Sequence, residues 1–177
     1  DKSYLETVNY SVLKLKKDTS VQYVEIKYWD MFVRHAPTAD YIVYTGHGGV
    51  DNIFELKQPS SYNNSSLSIT REKALADVKL KKGAIVIMSS VCTSAGSDAP
   101  DTSKTSLDLA ISRITSHVSM WFEMGASEYY ADSTPGFGEV LAHKKGKVNL
   151  KDVFIYDKIS ECPEYLFSNR KEIIHTR

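Results

Sequence analysis

Two residues in this chain combine reactive chemistry with a telling position. His47 stands in Thr45-Gly46-His47-Gly48-Gly49, straight after the apolar run Tyr41–Thr45. Cys92 stands in Ser90-Val91-Cys92-Thr93-Ser94-Ala95-Gly96, straight after the apolar run Ala84–Ser90. A thiolate is a strong nucleophile, and an imidazole within reach either takes the thiol proton or, as imidazolium, lowers the thiol pKa. With an ordinary pKa of about 6.5, the same imidazole can return a proton to a leaving amine near neutrality. His47 and Cys92 are therefore the candidates for general base and nucleophile in an acyl transfer. Gly48 lets a substrate approach the main chain closely, and its N–H, together with that of Cys92, suits the role of an oxyanion donor pair. Thr93, Ser94, Ala95 and Gly96 are small and are expected to leave the approach to the thiol unwalled.

Such a pair works only if the fold brings both strand ends to one place. Tyr41–Thr45 (YIVYT) and Ala84–Ser90 (AIVIMSS) are continuous apolar runs, the pattern of buried parallel strands, and each opens into a loop. In open parallel sheets the functional groups gather outside the carboxyl ends of the strands. If these two strands are neighbours, His47 and Cys92 share a cleft. The rest of the chain supplies the other elements of such a sheet. Leu5, Val8, Val12 and Leu13, with Tyr4 nearby, recur at helical spacing. Val21–Trp29 is rich in β-branched and aromatic residues and reads as a strand, Asp30 as the cap of a short helix through about His35, and Pro37 as its end.

Gln58–Ser66 (QPSSYNNSS) reads as a surface loop, and Thr70 as the N-cap of a helix to about Leu80. Leu107–His117 reads as a helix, Ser127–Asp132 as a strand and Phe137–Lys145 as a further helix. Two more helical stretches fall around Lys151–Ser160 and Glu164–Ile173, a C-terminal helical extension over residues 150–177. Alternating strands and helices predict an α/β fold, a three-layer α/β/α sandwich around a mainly parallel sheet with right-handed crossovers. No repeat or linker divides the 177 residues, so a single domain is expected over 1–177.

Bulk composition removes several other classes. Hydrophobic residues at 42% and charged residues at 25% describe a chain that packs a core. Lys plus Arg equals Asp plus Glu at 22 each, so no net field draws the chain to nucleic acid or an anionic membrane. No apolar run reaches the roughly 18 to 20 residues of a membrane-spanning helix. Cys92 and Cys162 are too few for a disulfide framework, lie in unlike surroundings, and have no spacing that suggests zinc, so neither metal nor cofactor is expected. The chain opens at Asp1 on a polar segment without a start methionine or a signal-like apolar stretch, which suits a processed product.

Taken together, YIVYTGHGG (Tyr41–Gly49) and AIVIMSSVCTSAG (Ala84–Gly96) resemble the clan CD cysteine peptidases: caspases, legumains, gingipains, clostripain-like enzymes, and separases with their bacterial CHAT-domain relatives. A third segment, Phe122–Asp132 (FEMGASEYYAD), looks like the Gly-Ala turn and strand that follow the cysteine in several of these families. The resemblance covers roughly Val21–His143. It implies a caspase-like fold, His47 as base, Cys92 as nucleophile, Gly48 with Cys92 as oxyanion hole, and cleavage of peptide bonds after one preferred side chain. Several relatives that prefer basic residues have an acidic residue two positions before the cysteine, whereas this chain has Ser90 there, and no Arg lies close to either motif.

The remaining polar residues divide into candidates and bystanders. Asp132, at the end of the strand after the cysteine, is a candidate substrate-binding carboxylate, with a plain strand-end or capping role as the alternative, and Ser90 is a second substrate-binding candidate by the resemblance, which puts it two positions before the nucleophile. The polar loop Ser97–Lys104 is expected to control access to Cys92, with Lys104 as a candidate self-cleavage point; its Asp98 and Asp101 read as solvated. His35, His117, His143 and His175 read as surface or helix-end residues, Cys162 as structural or incidental, and Trp121, Tyr129 and Tyr130 as core or pocket wall, with core favoured. The expected partner is a peptide or protein substrate. Two other readings stay open at this point: a catalytically inactive interaction domain of the same fold, and a non-proteolytic cysteine hydrolase. A cysteine at a strand end is often only a small buried hydrophobe.

Overall fold

The computed structural model describes residues 12–19, 21–49, 54–57, 66–89, 91, 93–94, 96, 106–132 and 137–147. Residues 12–17 form the described part of α1. Along the chain come α2 (Trp29–His35), a 3-10 turn (Ala36–Thr38), β1 (Tyr41–Thr45), β2 (Phe54–Lys57), β3 (Ser66–Ile69), α3 (Arg71–Asp77), β4 (Ile85–Ser89), α4 (Leu107–Met124), β5 (Glu128–Asp132) and α5 (Phe137–Lys144).

The main sheet is three parallel strands in the order β1-β4-β5, so β4 is flanked on both sides and all five of its residues are buried. A central parallel strand has no solvent face, which is why its sequence is an unbroken apolar run rather than an alternation. Side chains still alternate between two faces. Ile42 and Tyr44, Val86 and Met88, Tyr129 and Ala131 pack with Trp29 and Phe32 of α2 and Met120, Trp121 and Met124 of α4. Tyr41 and Val43, Ile85 and Ile87, and Tyr130 pack with Val140 of α5 on the opposite face. Helices thus flank the parallel sheet on both sides, the mixed α/β arrangement expected from the alternation of strands and helices.

Local chemistry explains the boundaries. The Thr70 side chain accepts from the Lys73 N–H at 3.3 Å and starts α3. Ser106 does the same for α4 through the Leu109 N–H at 3.3 Å. Helix α4 stops at Gly125, whose φ of 119° is open to glycine and strained for other residues. The Gly125 N–H bonds the Phe122 carbonyl and the Ala126 N–H bonds the Trp121 carbonyl, a Schellman closure. The Gly-Ala turn noted in the sequence is therefore a helix stop that feeds the chain directly into β5. Trp29 stacks on Phe32, which meets Trp121 edge-on, while the Trp29 indole N–H donates to Asp77 at 2.8 Å and joins α2 to α3.

Several expectations are corrected. Val21–Trp29 is not a continuous strand: among the described residues, 21–27 have no ladder, Tyr28 forms an isolated bridge, and Trp29 already belongs to α2. Among the described residues no strand runs alongside 21–27 despite their β-rich composition, and Val24 is 40% exposed. Tyr28, not Asp30, is the N-cap of α2; Asp30 sits in the first turn, where its charge suits the helix dipole. In α1 it is Leu15 that is buried, while Leu13 points outward. Helix α3 stops at Asp77, short of Leu80, and α4 continues well past His117.

An antiparallel hairpin, β2-β3, pairs Phe54 with Ile69 and Lys57 with Ser66, so Ser66 belongs to a strand rather than to the surface loop. Tyr4, Leu5, Val8, the stretch 58–65, the loop Ser97–Lys104 and the two C-terminal helical stretches lie outside the described residues. Among the described residues, no helix is long and apolar enough to cross a membrane.

Candidate functional site

Parallel register brings three carboxyl ends level with one another. Thr45 of β1 is the register partner of Ser89 of β4, and Ser89 is the register partner of Asp132 of β5. Adjacent strands run about 4.8 Å apart. His47 follows Thr45 by two residues and Cys92 follows Ser89 by three, so the two motifs leave neighbouring strands at the same edge of the sheet. The two strands are neighbours, as the sequence reading required of them. Cys92 and Ser90 lie outside the described residues, and so does the Asp132 side chain; Ser89, Val91 and Thr93 lie within them.

On the β1 side, His47 is exposed and its main chain is tethered. The Tyr44 hydroxyl donates to the His47 carbonyl at 2.7 Å, accepts from the Glu55 N–H at 2.9 Å, and lies 3.0 Å from the Glu55 carbonyl. A phenol has a single proton, so the two carbonyls share it, and the shorter contact goes to His47. One hydroxyl therefore ties the His47 turn to the β2-β3 hairpin. Gly46 makes this possible: a Cβ there would lie 2.8 Å from the Tyr44 hydroxyl oxygen.

On the β4 side, the described residues around position 92 are bound from several directions. The Ser94 N–H bonds the Val91 carbonyl at 3.2 Å, the Ser94 hydroxyl donates to the same carbonyl at 2.7 Å, and the Gly96 N–H bonds the Thr93 carbonyl at 2.9 Å. Tyr129 of β5 donates its hydroxyl to the Ser94 carbonyl at 2.9 Å. From α4, Arg113 donates to the Gly96 carbonyl at 3.1 Å. Thr93 Oγ1 meets His117 Nε2 at 2.9 Å. Gly96, with φ of 96°, sits so close to α4 that a Cβ would fall 3.1 Å from both Ala110 and Ile114.

Thr93 has φ of 65°, and it is the one positive-φ residue among the described residues that is not glycine. A β-branched residue in the left-handed region is strained by roughly 1–2 kcal/mol, so its surroundings must hold it there. No family model matches this chain, and neither does any curated protein or solved structure.

Thr93 and Ser94, small residues expected to leave the approach to the thiol unwalled, turn inward rather than to the surface. Both are buried, at 0% and 1% exposure, with Thr93 turned to α4 and the Ser94 carbonyl turned to β5. His117 is likewise not a surface or helix-end residue. It is buried in mid-helix, and desolvation pushes its pKa down to about 4, so it is neutral at pH 7. It occupies the inward stripe Ala110, Ile114, His117, Trp121, Met124, whose spacing is a legible signal for a buried histidine.

His35 and His143 do lie in the last turns of α2 and α5, and His143 Nδ1 pairs with the Tyr41 hydroxyl at 3.0 Å, at the opposite end of β1. Trp121, Tyr129 and Tyr130 are core, although Tyr129 also serves the turn. Cys162, Asp98, Asp101 and His175 lie outside the described residues. Among the described residues, no group of three His, Cys, Asp or Glu side chains is placed to hold a metal ion.

Proposed function

We propose that this chain is a cysteine endopeptidase of caspase-like, clan CD type, with His47 as general base and Cys92 as nucleophile. The observation that carries the reading is the parallel pairing of β1 with β4, Thr45 opposite Ser89, which starts the His47 and Cys92 segments from adjacent strand ends. In this mechanism His47 takes the Cys92 proton and the thiolate attacks the scissile carbonyl carbon. The resulting oxyanion is met by the N–H groups of Gly48 and Cys92. Collapse breaks the C–N bond, the His47 imidazolium gives its proton to the departing amine, and a thioester remains. A water molecule, deprotonated by His47, hydrolyses the thioester and regenerates the thiol. Nothing in this cycle calls for a metal or cofactor.

Bound restraint on both strand ends supports catalysis over a passive role, because reacting groups must be held in fixed geometry to gain from proximity. The test is cleavage of a peptide library by the wild-type chain and by Cys92→Ala and His47→Ala. The expected result is cleavage by the wild type, lost by about 10³-fold or more in either variant with the circular dichroism spectrum retained. Cys92 that resists thiol-reactive probes at neutral pH, with no peptide cleaved, would leave a non-catalytic interaction domain. A reactive Cys92 with no peptide cleaved would instead leave a non-proteolytic cysteine hydrolase.

A further inference from the structure

Among the described residues, the buried polar group that the proposed chemistry does not use, and that lies nearest to it in the chain, is the His117–Thr93 pair. We infer that His117 is a positioning residue for Cys92: through Thr93 Oγ1 it holds the residue bonded directly to Cys92 in a left-handed backbone conformation. The inference rests on the proposed role of Cys92 as nucleophile. Its geometric basis is independent of that role.

Thr93 is fully buried, its φ is 65°, and its hydroxyl meets His117 Nε2 at 2.9 Å. The peptide between Cys92 and Thr93 is rigid and planar, so fixing the Thr93 backbone fixes the direction in which the chain leaves Cys92. His117 is itself fixed, being 1% exposed on the inward stripe of α4. Its Nδ1 has no hydrogen-bond partner among the described residues. A buried imidazole with a single polar partner costs more than an apolar residue of similar size would, unless that one bond is useful. The bonds from Arg113 to Gly96 and from Tyr129 to Ser94 hold the far side of the turn, and the bonds from Ser94 to the Val91 carbonyl are made within it, so the His117–Thr93 bond is the one that ties a residue adjoining Cys92 in sequence to α4. A neutral imidazole can donate from Nε2 or accept there, and either tautomer holds the hydroxyl.

The experiment separates positioning from packing. Thr93→Val and His117→Phe each leave one buried partner unsatisfied, whereas the double variant replaces both with apolar groups and restores most of the lost stability. Iodoacetamide alkylation is followed at Cys92 by peptide mass mapping, with Cys162 in the same chain as the reference, and thermal unfolding is followed in parallel.

The double variant is expected to melt near the wild type and yet to alkylate at Cys92 at a rate changed by about 10-fold, with kcat/KM falling by at least as much through kcat. Thr93→Ser and His117→Gln, which keep a polar partner in reach, should return the rate to within about twofold of wild type. A double variant with wild-type stability and a wild-type alkylation rate at Cys92 overturns the inference and makes the pair a packing feature. Because alkylation needs no peptide, that outcome differs from failure of the peptidase reading, in which the positioning variants change Cys92 reactivity but no peptide is cleaved.

Discussion

The Tyr44 hydroxyl lies 2.7 Å from the carbonyl oxygen of His47, three residues further along the chain, and the same hydroxyl accepts from the Glu55 N–H at 2.9 Å. One side chain of β1 thus restrains the loop that carries the proposed base and fastens the β2-β3 hairpin to the main sheet. Tyr44→Phe removes this tether while keeping the ring in the core. The expected cost is about 1–3 kcal/mol in unfolding free energy, since the Glu55 N–H and a carbonyl lose their partner. Peptide turnover should fall by about 10-fold, mostly in kcat, because His47 gains freedom to leave its working position. Urea unfolding and steady-state kinetics check the two parts separately.

Protonation of His117 should couple acid to stability. Its pKa is about 4 in the folded chain, lowered by burial, against about 6.5 when unfolded. Above pH 6.5 both states are neutral and the full stability is present. As the pH falls from 6.5 towards 4 the unfolded chain binds the proton first, and stability declines by a total on the order of 3 kcal/mol before levelling off. Chemical denaturation across pH 4 to 7 should show a component of this size in the wild type that disappears in His117→Phe. Equal slopes in the two proteins would contradict it.

Gly96→Ala should be among the most damaging single-methyl additions in the turn. The backbone there is left-handed, with φ of 96°, and the new methyl group meets Ala110 and Ile114 of α4 at 3.1 Å. Strain and overpacking together should cost about 2–4 kcal/mol and displace the turn from α4. A thermal melt within a degree or two of wild type would show that α4 can retreat more easily than its packing suggests.

Asp132 ends β5 in register with Ser89, one strand over from the Cys92 segment and two from that of His47. If its carboxylate lines the primary pocket, Lys or Arg before the scissile bond gains a charge-assisted hydrogen bond. Profiling with a peptide library should show preference for basic residues that falls by about 10-fold or more in Asp132→Asn, while hydrolysis of uncharged peptides changes little. A profile favouring Asn, Asp or small apolar residues, identical in both proteins, would remove Asp132 from the pocket.

The sequence alone determined the features that depend on near neighbours in the chain. The runs Tyr41–Thr45 and Ile85–Ser89 read as strands and Thr70 as the cap of the helix after it, because each rests on local composition or on one short hydrogen bond. The positions of His47 and Cys92 after strand ends were legible for the same reason. Val21–Trp29 had strand composition but, among the described residues, only an isolated bridge at Tyr28, and the four-residue segments Phe54–Lys57 and Ser66–Ile69, too short to stand out in the sequence, paired with each other. Strand formation is decided by what lies alongside, which a linear reading does not contain.

The same limit hid the support of the turn. His117 is separated from Thr93 by most of a helix, and only the packing of α4 against the sheet turns an imidazole on an apolar stripe into the partner of a strained threonine beside the cysteine. Neighbourhood of β1 and β4 was likewise a condition in the sequence and a fact only in the fold, because parallel strands must be joined by long crossovers and the order in which they pair is set by the whole core.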